Sequence, residues 1–242
     1  MTPVQQVADG VHRLGTDWVG WYLYDAEGAV TVVDCGFPGY FDQLPAALSD
    51  LDRLFDDVAA VVLTHYHPDH VGCAERIRVE VGATVFAPAG DAAGVRGGRV
   101  PLPGGMPQSL WRPRMVRYMA HAVRNGGARA PPVGELQTYG DGDVLEVPGR
   151  LRAVGTPGHT GGHCSLLAEG AGVLFAGDAL ATVSFLSGET GPQLVAFNED
   201  AERARDSLSR LEGLSADFVV VGHGSPFVGT PAEAVERARR TS

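Results

Sequence analysis

The run His65-Tyr66-His67-Pro68-Asp69-His70 constrains this chain more than any other feature. Four metal-ligating side chains fall within six residues, directly after the apolar run at 60–63, which reads as a buried strand. A strand end delivers side chains rigidly, and alternation along it sends His65 and His67 to one side, where both imidazoles can reach one metal. Asp69 and His70, in the turn that follows, can face a second. Imidazole with carboxylate suits zinc, and also iron or manganese. The competing reading is a polar loop of hydrogen-bonded histidines, and so dense a cluster leaves it little room.

Three further polar residues follow apolar runs. His159 lies in Thr156-Pro157-Gly158-His159-Thr160-Gly161-Gly162-His163, after the run at 151–154. Asp178 follows the run at 173–176, and His223 follows that at 218–221. A lone histidine or aspartate at a strand end is more often structural than a ligand. Three of them, in a chain that already carries the histidine cluster, point to metal binding.

The rest of the chain has the rhythm of a layered α/β fold. Strands are expected at 11–14, 21–24, 30–33, 84–87, 144–147, 151–154, 165–168 and 173–176, with a turn at Glu27-Gly28. Helical apolar spacing covers 41–55, and helices are also expected at 71–81, 200–211 and 231–240, the last opening on Pro231. Strands with interspersed helices, and polar motifs just past strand ends, suggest layers packed on one core. We expect one domain over 1–242, with an insertion at about 88–135 that is rich in glycine and proline and holds one helix at 109–124. From Ala92 to Gly134 there is no acidic residue but there are seven arginines: Arg96, Arg99, Arg112, Arg114, Arg117, Arg124 and Arg129.

Charge and composition narrow the function. A formal net charge of −10 disfavours general binding to nucleic acid or to anionic membrane. The apolar runs are far too short to span a bilayer, and no secretory signal is visible. Cys35, Cys73 and Cys164 show no CxxC spacing and read as reduced thiols, which suggests the cytoplasm. All 19 basic residues are arginine, so no lysine can serve as a Schiff base, a phosphate-loop lysine or a substrate clamp. No GxSxG run offers a serine nucleophile.

The chain resembles the metallo-β-lactamase superfamily, whose signature is HxHxDH followed by a His, an Asp and a His on separate loops. The match runs from His65 to His223. The resemblance implies an αβ/βα sandwich with metals at one edge. It implies that His65, His67 and His159 hold one metal, that Asp69, His70 and His223 hold a second, and that Asp178 bridges them. Asp34 (in VVDCG) and His163 would support these ligands from behind without touching metal. Two zinc ions per chain are the expected cofactors, with manganese or iron as alternatives. They would ionise a bridging water near neutral pH and polarise the bond under attack, with Asp69 and Asp178 as the catalytic carboxylates.

The superfamily hosts many reactions, so the resemblance does not name the substrate. True β-lactamases of the family generally lack an aspartate where this chain has Asp178, and some grip substrate with a lysine, so antibiotic hydrolysis is a minor alternative. Flavodiiron-type members carry Glu where this chain has His67. Glyoxalase-II-like thioesterases and lactonases are closer, although the basic glutathione-binding residues of the former and the lactonase tyrosine after the bridging aspartate have no match. Hydrolysis of an ester, thioester or lactone in a small molecule is the expected activity. The alternative is a persulfide-dioxygenase-like oxidoreductase with a single iron; a metal-free binding module would require eroded ligands, and none of the seven has eroded. Arg112, Arg114 and Arg117, with Trp111 and Tyr118, are candidates for a lid that binds an anionic substrate through arginine forks. The competing reading is a subunit contact of a homodimer.

Overall fold

The computed structural model describes residues 4–98, 109–128 and 130–241. One sheet takes its seven strands in chain order: β1 (Gln5–Ala8), β2 (Val11–Gly15), β3 (Gly20–Ala26), β4 (Ala29–Val33), β5 (Val58–Val62), β6 (Thr84–Pro88) and β7 (Gln137–Tyr139). β1 to β4 pair antiparallel, and β4 to β7 pair parallel. The crossovers carry helices α1 (Gln43–Asp50), α2 (Pro68–Val71), α3 (Ala74–Val81), α4 (Ala92–Val95) and α5 (Pro113–Arg124).

The second sheet has six strands in the order β15 (Phe227–Val228), β14 (Phe218–Val221), β11 (Val173–Gly177), β10 (Cys164–Ala168), β9 (Leu151–Gly155) and β8 (Val144–Leu145). β11 and β14 are parallel, joined by a crossover through helix α6 (Ala201–Ser207). Helix α7 (Pro231–Thr241) closes the chain, and β12 (Ala181–Val183) pairs with β13 (Thr190–Gln193) as a separate hairpin.

Alternation along the strands sorts side chains into three apolar layers. On β3, Tyr22 and Tyr24 point between the sheets, while Trp21 and Leu23 point the other way, onto the layer of Leu44, Leu48 and Ile77 from α1 and α3. On β11, Val173 and Phe175 face the first sheet, and Leu174 and Ala176 face Leu208, Leu211, Ala234 and Val235. The resulting order is helix, sheet, sheet, helix, as expected for the αβ/βα sandwich. Cys35, Cys73 and Cys164 are buried free thiols inside these layers. Among the described residues no helix is long and apolar enough to cross a membrane.

Several elements differ from expectation in extent. The helical spacing over 41–55 outlasts the helix: α1 stops at Asp50, and Asp52 turns the chain at φ +52°. The helix expected over 71–81 is two, α2 and α3, broken at Gly72 and Cys73. α5 begins at Pro113, not at 109, because Pro at the first turn has no N–H to place in the helix. Of the insertion at 88–135, residues 99–108 and 129 lie outside the described residues, and with them Arg99 and Arg129. Strands β1, β7, β12, β13 and β15 were not expected; none exceeds four residues, too short for an alternating pattern to show.

Candidate metal centre

The carboxyl ends of parallel strands from both sheets meet at one edge of the sandwich, a common location for sites in α/β folds. Asp34 follows β4, the His65–His70 run follows β5, and His159 follows β9. Asp178 follows β11, and His223 follows β14. Backbone bonds lock the two sheets together here, from Cys164 N–H to Thr64 O at 3.1 Å and from Gly20 N–H to Gly222 O at 2.8 Å. The structure therefore brings together all seven residues expected to act as ligands.

His67 Nδ1 lies 3.0 Å from His65 Nε2 and 2.9 Å from His159 Nε2. Asp178 reaches toward every part of the cluster, with Oδ2 at 3.2 Å from His159 Nε2 and 3.0 Å from His223 Nε2, and Oδ1 at 3.4 Å from His70 Nε2. His223 Nε2 is 3.6 Å from Asp69 Oδ2. Ligand atoms fall into three overlapping groups, each within 4.8 Å: His65, His67 and His159; His65, His70 and Asp178; Asp69, His70 and His223.

A layer of partners behind the cluster fixes which ring nitrogen carries a proton. Thr64 donates its hydroxyl to Asp34 at 2.9 Å, so its contact with His65 at 3.0 Å is a bond from His65 Nδ1–H, and Nε2 is left bare. His70 donates Nδ1–H to Asp34 Oδ2 at 2.8 Å, and His223 donates Nδ1–H to the Trp18 carbonyl at 2.7 Å. Each then turns Nε2 inward. Asp34 holds this position at φ +55° while also accepting the Thr64 N–H at 2.8 Å. His163 accepts the Asp178 N–H at Nε2, 2.9 Å away, and gives Nδ1–H to Thr156 Oγ1 at 2.8 Å. Both of its nitrogens are occupied, so it positions Asp178 and has no lone pair to spare.

The donor set fits metal. His70 Nε2 and Asp178 Oδ1 are buried and have no hydrogen-bond partner, a costly state unless a cation lies between them. Burial pushes His67 down to about 4 and His159 to about 3, and burial with neighbouring His70 holds His65 well below the usual range. These three rings are neutral and ready to ligate. Burial raises the carboxyl of Asp178, but His223, His70 and His159 outweigh it and hold the group well below the usual carboxylate range. His70 and His223 move the other way, because Asp34 and Asp178 outweigh burial at the first and Asp178 does so at the second.

Helix α5 lies over this edge. Tyr118 donates its hydroxyl to Asp69 Oδ2 at 2.6 Å and stacks on Phe185 at 4.5 Å between ring centroids. Phe185 in turn packs 4.5 Å from the His223 ring. Met115, Phe185 and Phe197 form a small buried apolar cluster that Trp18, Tyr118, Met119 and Leu186 complete. His121, one turn beyond Tyr118, meets Tyr40 Oη at 2.5 Å and anchors the helix to the body. Of the other residues expected to bind substrate, Arg114 is partly buried beside Trp18, whereas Arg112, Arg117 and Trp111 are exposed, Trp111 to 74%.

Thr64 and Trp18 escaped the sequence reading as supports, and so did two residues farther from the ligands. Asp91, 2% exposed just past β6, accepts the Tyr66 N–H at 3.2 Å, the Thr160 hydroxyl at 2.6 Å and the Gly162 N–H at 2.7 Å. It thereby ties the His65–His67 loop to the His159 loop. Arg13 donates to Thr16 O at 2.7 Å and to Gly224 O at 3.1 Å, steadying the loop of His223. The available signal was Asp91's place at a strand end, the same as that of Asp34.

Comparison with known proteins agrees with this geometry. The description of the metallo-β-lactamase superfamily matches residues 19–223. The probable metallo-hydrolase YflN of Bacillus subtilis is 26% identical, over 98% of this chain and 93% of its own. A hydroxyacylglutathione hydrolase of Chromohalobacter salexigens is 28% identical over 84% of this chain but 60% of its own. The crystal structure of a metallo-β-lactamase family protein from Thermus thermophilus superimposes with a TM-score of 0.70 and 29% identity, covering 96% of this chain and 79% of that one. With its sandwich, its HxHxDH loop and a profile match over most of its length, the chain belongs to the metallo-β-lactamase superfamily.

Proposed function

We propose that this protein is a hydrolase that holds two divalent ions, zinc or in its place manganese or iron, and cleaves an ester, thioester or lactone bond in a small molecule. The observation that supports this most directly is the convergence of three neutral imidazoles on one another beside the ionised Asp178. His65, His67 and His159 would hold one ion; Asp69, His70 and His223 would hold the other, with Asp178 shared. Bound there, the ions supply a water nucleophile ionised near neutral pH and an electrophile for the carbonyl oxygen.

The chain's own groups do the rest. Asp34, Thr64, His163 and the Trp18 carbonyl aim the ligands, which is how a pre-set site avoids reorganising during reaction. Tyr118 keeps its proton, since burial and the Asp69 charge hold the phenol well above its usual range. Its hydroxyl is a donor at the mouth of the cluster, and Asp69 is the carboxylate that can take up a proton there. Trp18, Tyr118, Met119 and Leu186, partly exposed around the buried Met115, Phe185 and Phe197, give the substrate's carbon skeleton an apolar surface.

The test is elemental analysis of untagged protein purified without chelator, followed by assays with ester, thioester, lactone and β-lactam substrates. About two zinc or manganese ions per chain and turnover of a carbonyl substrate are the expected result. About one iron per chain, with oxygen consumed in the presence of a persulfide, would replace hydrolysis with thiol oxidation. A two-metal protein inert toward every carbonyl substrate would overturn the proposed bond class.

A further inference from the structure

Arg114 differs from the other arginines by what surrounds it. Arg53, Arg78, Arg152 and Arg210 have carboxylates, Arg112, Arg117 and Arg124 are exposed to solvent, and the partly buried Arg13, whose Nε is likewise unpaired, gives its Nη2 to the Thr16 and Gly224 carbonyls. Arg114 has no ion pair among the described residues, and its Nε is buried without a hydrogen-bond partner. The guanidinium lies 5.5 Å over the Trp18 ring. It packs so tightly on Gly188 that an ideal Cβ there would lie 3.0 Å from Nη1, and Gly188, at φ +80°, also adopts backbone that favours glycine. A partly buried cation with neither acid nor carbonyl acceptor among the described residues is unfavourable in the free protein.

The position of this cation connects it to the candidate metal centre. Arg114 and Tyr118 are four residues apart on α5 and share one face of the helix, about 6 Å apart along its axis. Tyr118 touches Asp69. Trp18, under the guanidinium, lies 6.0 Å from Tyr118 and 6.2 Å from Phe185, and its carbonyl holds His223. One aromatic wall thus runs from the ligand set to the unpaired fork.

We propose that Arg114 binds a carboxylate of the substrate, with the substrate's apolar skeleton against Trp18 and Tyr118 and its scissile carbonyl at the Asp178 cluster. This deepens the hydrolase reading and rests on it for the position of the carbonyl. A planar fork suits a carboxylate. The apolar surroundings favour that single charge over a phosphate dianion, whose desolvation costs more. The substrate class is then an acyl compound that carries a free carboxylate beyond an aliphatic or aromatic spacer.

The test compares hydrocinnamate with its neutral amide by calorimetric titration, on wild type, Arg114→Gln, Arg114→Lys and Arg124→Gln. Wild type should prefer the acid, and Arg114→Gln should weaken acid binding by about 10-fold or more while leaving the amide unaffected. Arg124→Gln removes a charge from the same helix and should behave as wild type. Kinetics with phenyl hydrogen succinate and phenyl butyrate should show Arg114→Gln raising KM for the acid ester alone. Equal binding of acid and amide by wild type would overturn the proposal. So would an unchanged acid affinity in Arg114→Gln, which places the carboxylate on metal, or full rescue by Arg114→Lys, which reduces Arg114 to a cation on Trp18. If wild type cleaves no ester yet binds the acid through Arg114, the hydrolase reading fails and the anion site stands.

Discussion

The backbone of Gly222 passes so near the Asp178 carboxylate that an ideal Cβ at residue 222 would lie 2.3 Å from Oδ1 and 2.6 Å from His70 Cε1. Glycine there is a packing requirement: both side chains occupy the space that a methyl group would take. Gly222→Ala should displace Asp178 and His70 together. We expect hydrolysis to fall about 100-fold, as for misplacements near 1 Å, with metal content reduced. Steady-state kinetics and elemental analysis of the variant check this, and wild-type values in both would show that the loop relaxes freely.

Asp91 should matter to stability although it touches no ligand atom. Asp91→Ala strands the Tyr66 and Gly162 N–H groups and the Thr160 hydroxyl in a buried setting. A loss of about 3 kcal/mol is expected in denaturant unfolding, the scale of a bond to a buried charge. An unchanged midpoint would mean that the two loops hold each other without it.

Tyr118→Phe keeps the stack on Phe185 and deletes only the bond to Asp69. Thermal stability should change little, while kcat falls by about 100-fold if the hydroxyl stabilises developing charge. Equal kcat in both proteins would confine Tyr118 to packing.

Removing metal should loosen the fold as well as abolish turnover. Chelator-treated protein should melt at a lower temperature, and restoring free ion to a hundredfold excess over its Kd should return about 2.7 kcal/mol. A melting temperature indifferent to chelator and to added zinc would argue against an ion in the native protein.

The pH dependence of one surface contact has a defined sign. The Gly155 N–H, with help from Arg210, holds the Asp141 carboxyl below its ordinary range. A depressed folded pKa stabilises above the unfolded value, and that contribution fades as pH falls through the folded one. Asp141→Ala should therefore destabilise modestly at neutral pH, by about 1 kcal/mol, and the gap between the two proteins should narrow below pH ~4. A gap that is constant with pH would rule out the charge as its source.

How much of this was legible depended on how far the cause lies along the chain. The alternation on β3 and β11 and the apolar run before His65 are local, so strands and layers were visible. The apolar spacing of 41–55 was misleading at its end, since Leu51 and Phe55 pack on the first sheet's outer layer from a turn instead of a longer helix. Strand β13, Thr-Gly-Pro-Gln, has no strand-like composition and exists because β12 is beside it. Asp91 and Arg13 act on loops distant in sequence, and only tertiary structure reveals such partners. Arg112, Arg114 and Arg117 looked alike as sequence; burial beside Trp18 distinguishes Arg114.

The His65, His67 and His159 group draws two members from the edge of one sheet and the third from the other. An ion held by that trio would belong to neither half. Its release breaks bonds to both sheets at once, so the affinity for a labelled ion would report how well the two halves are held in register at this edge.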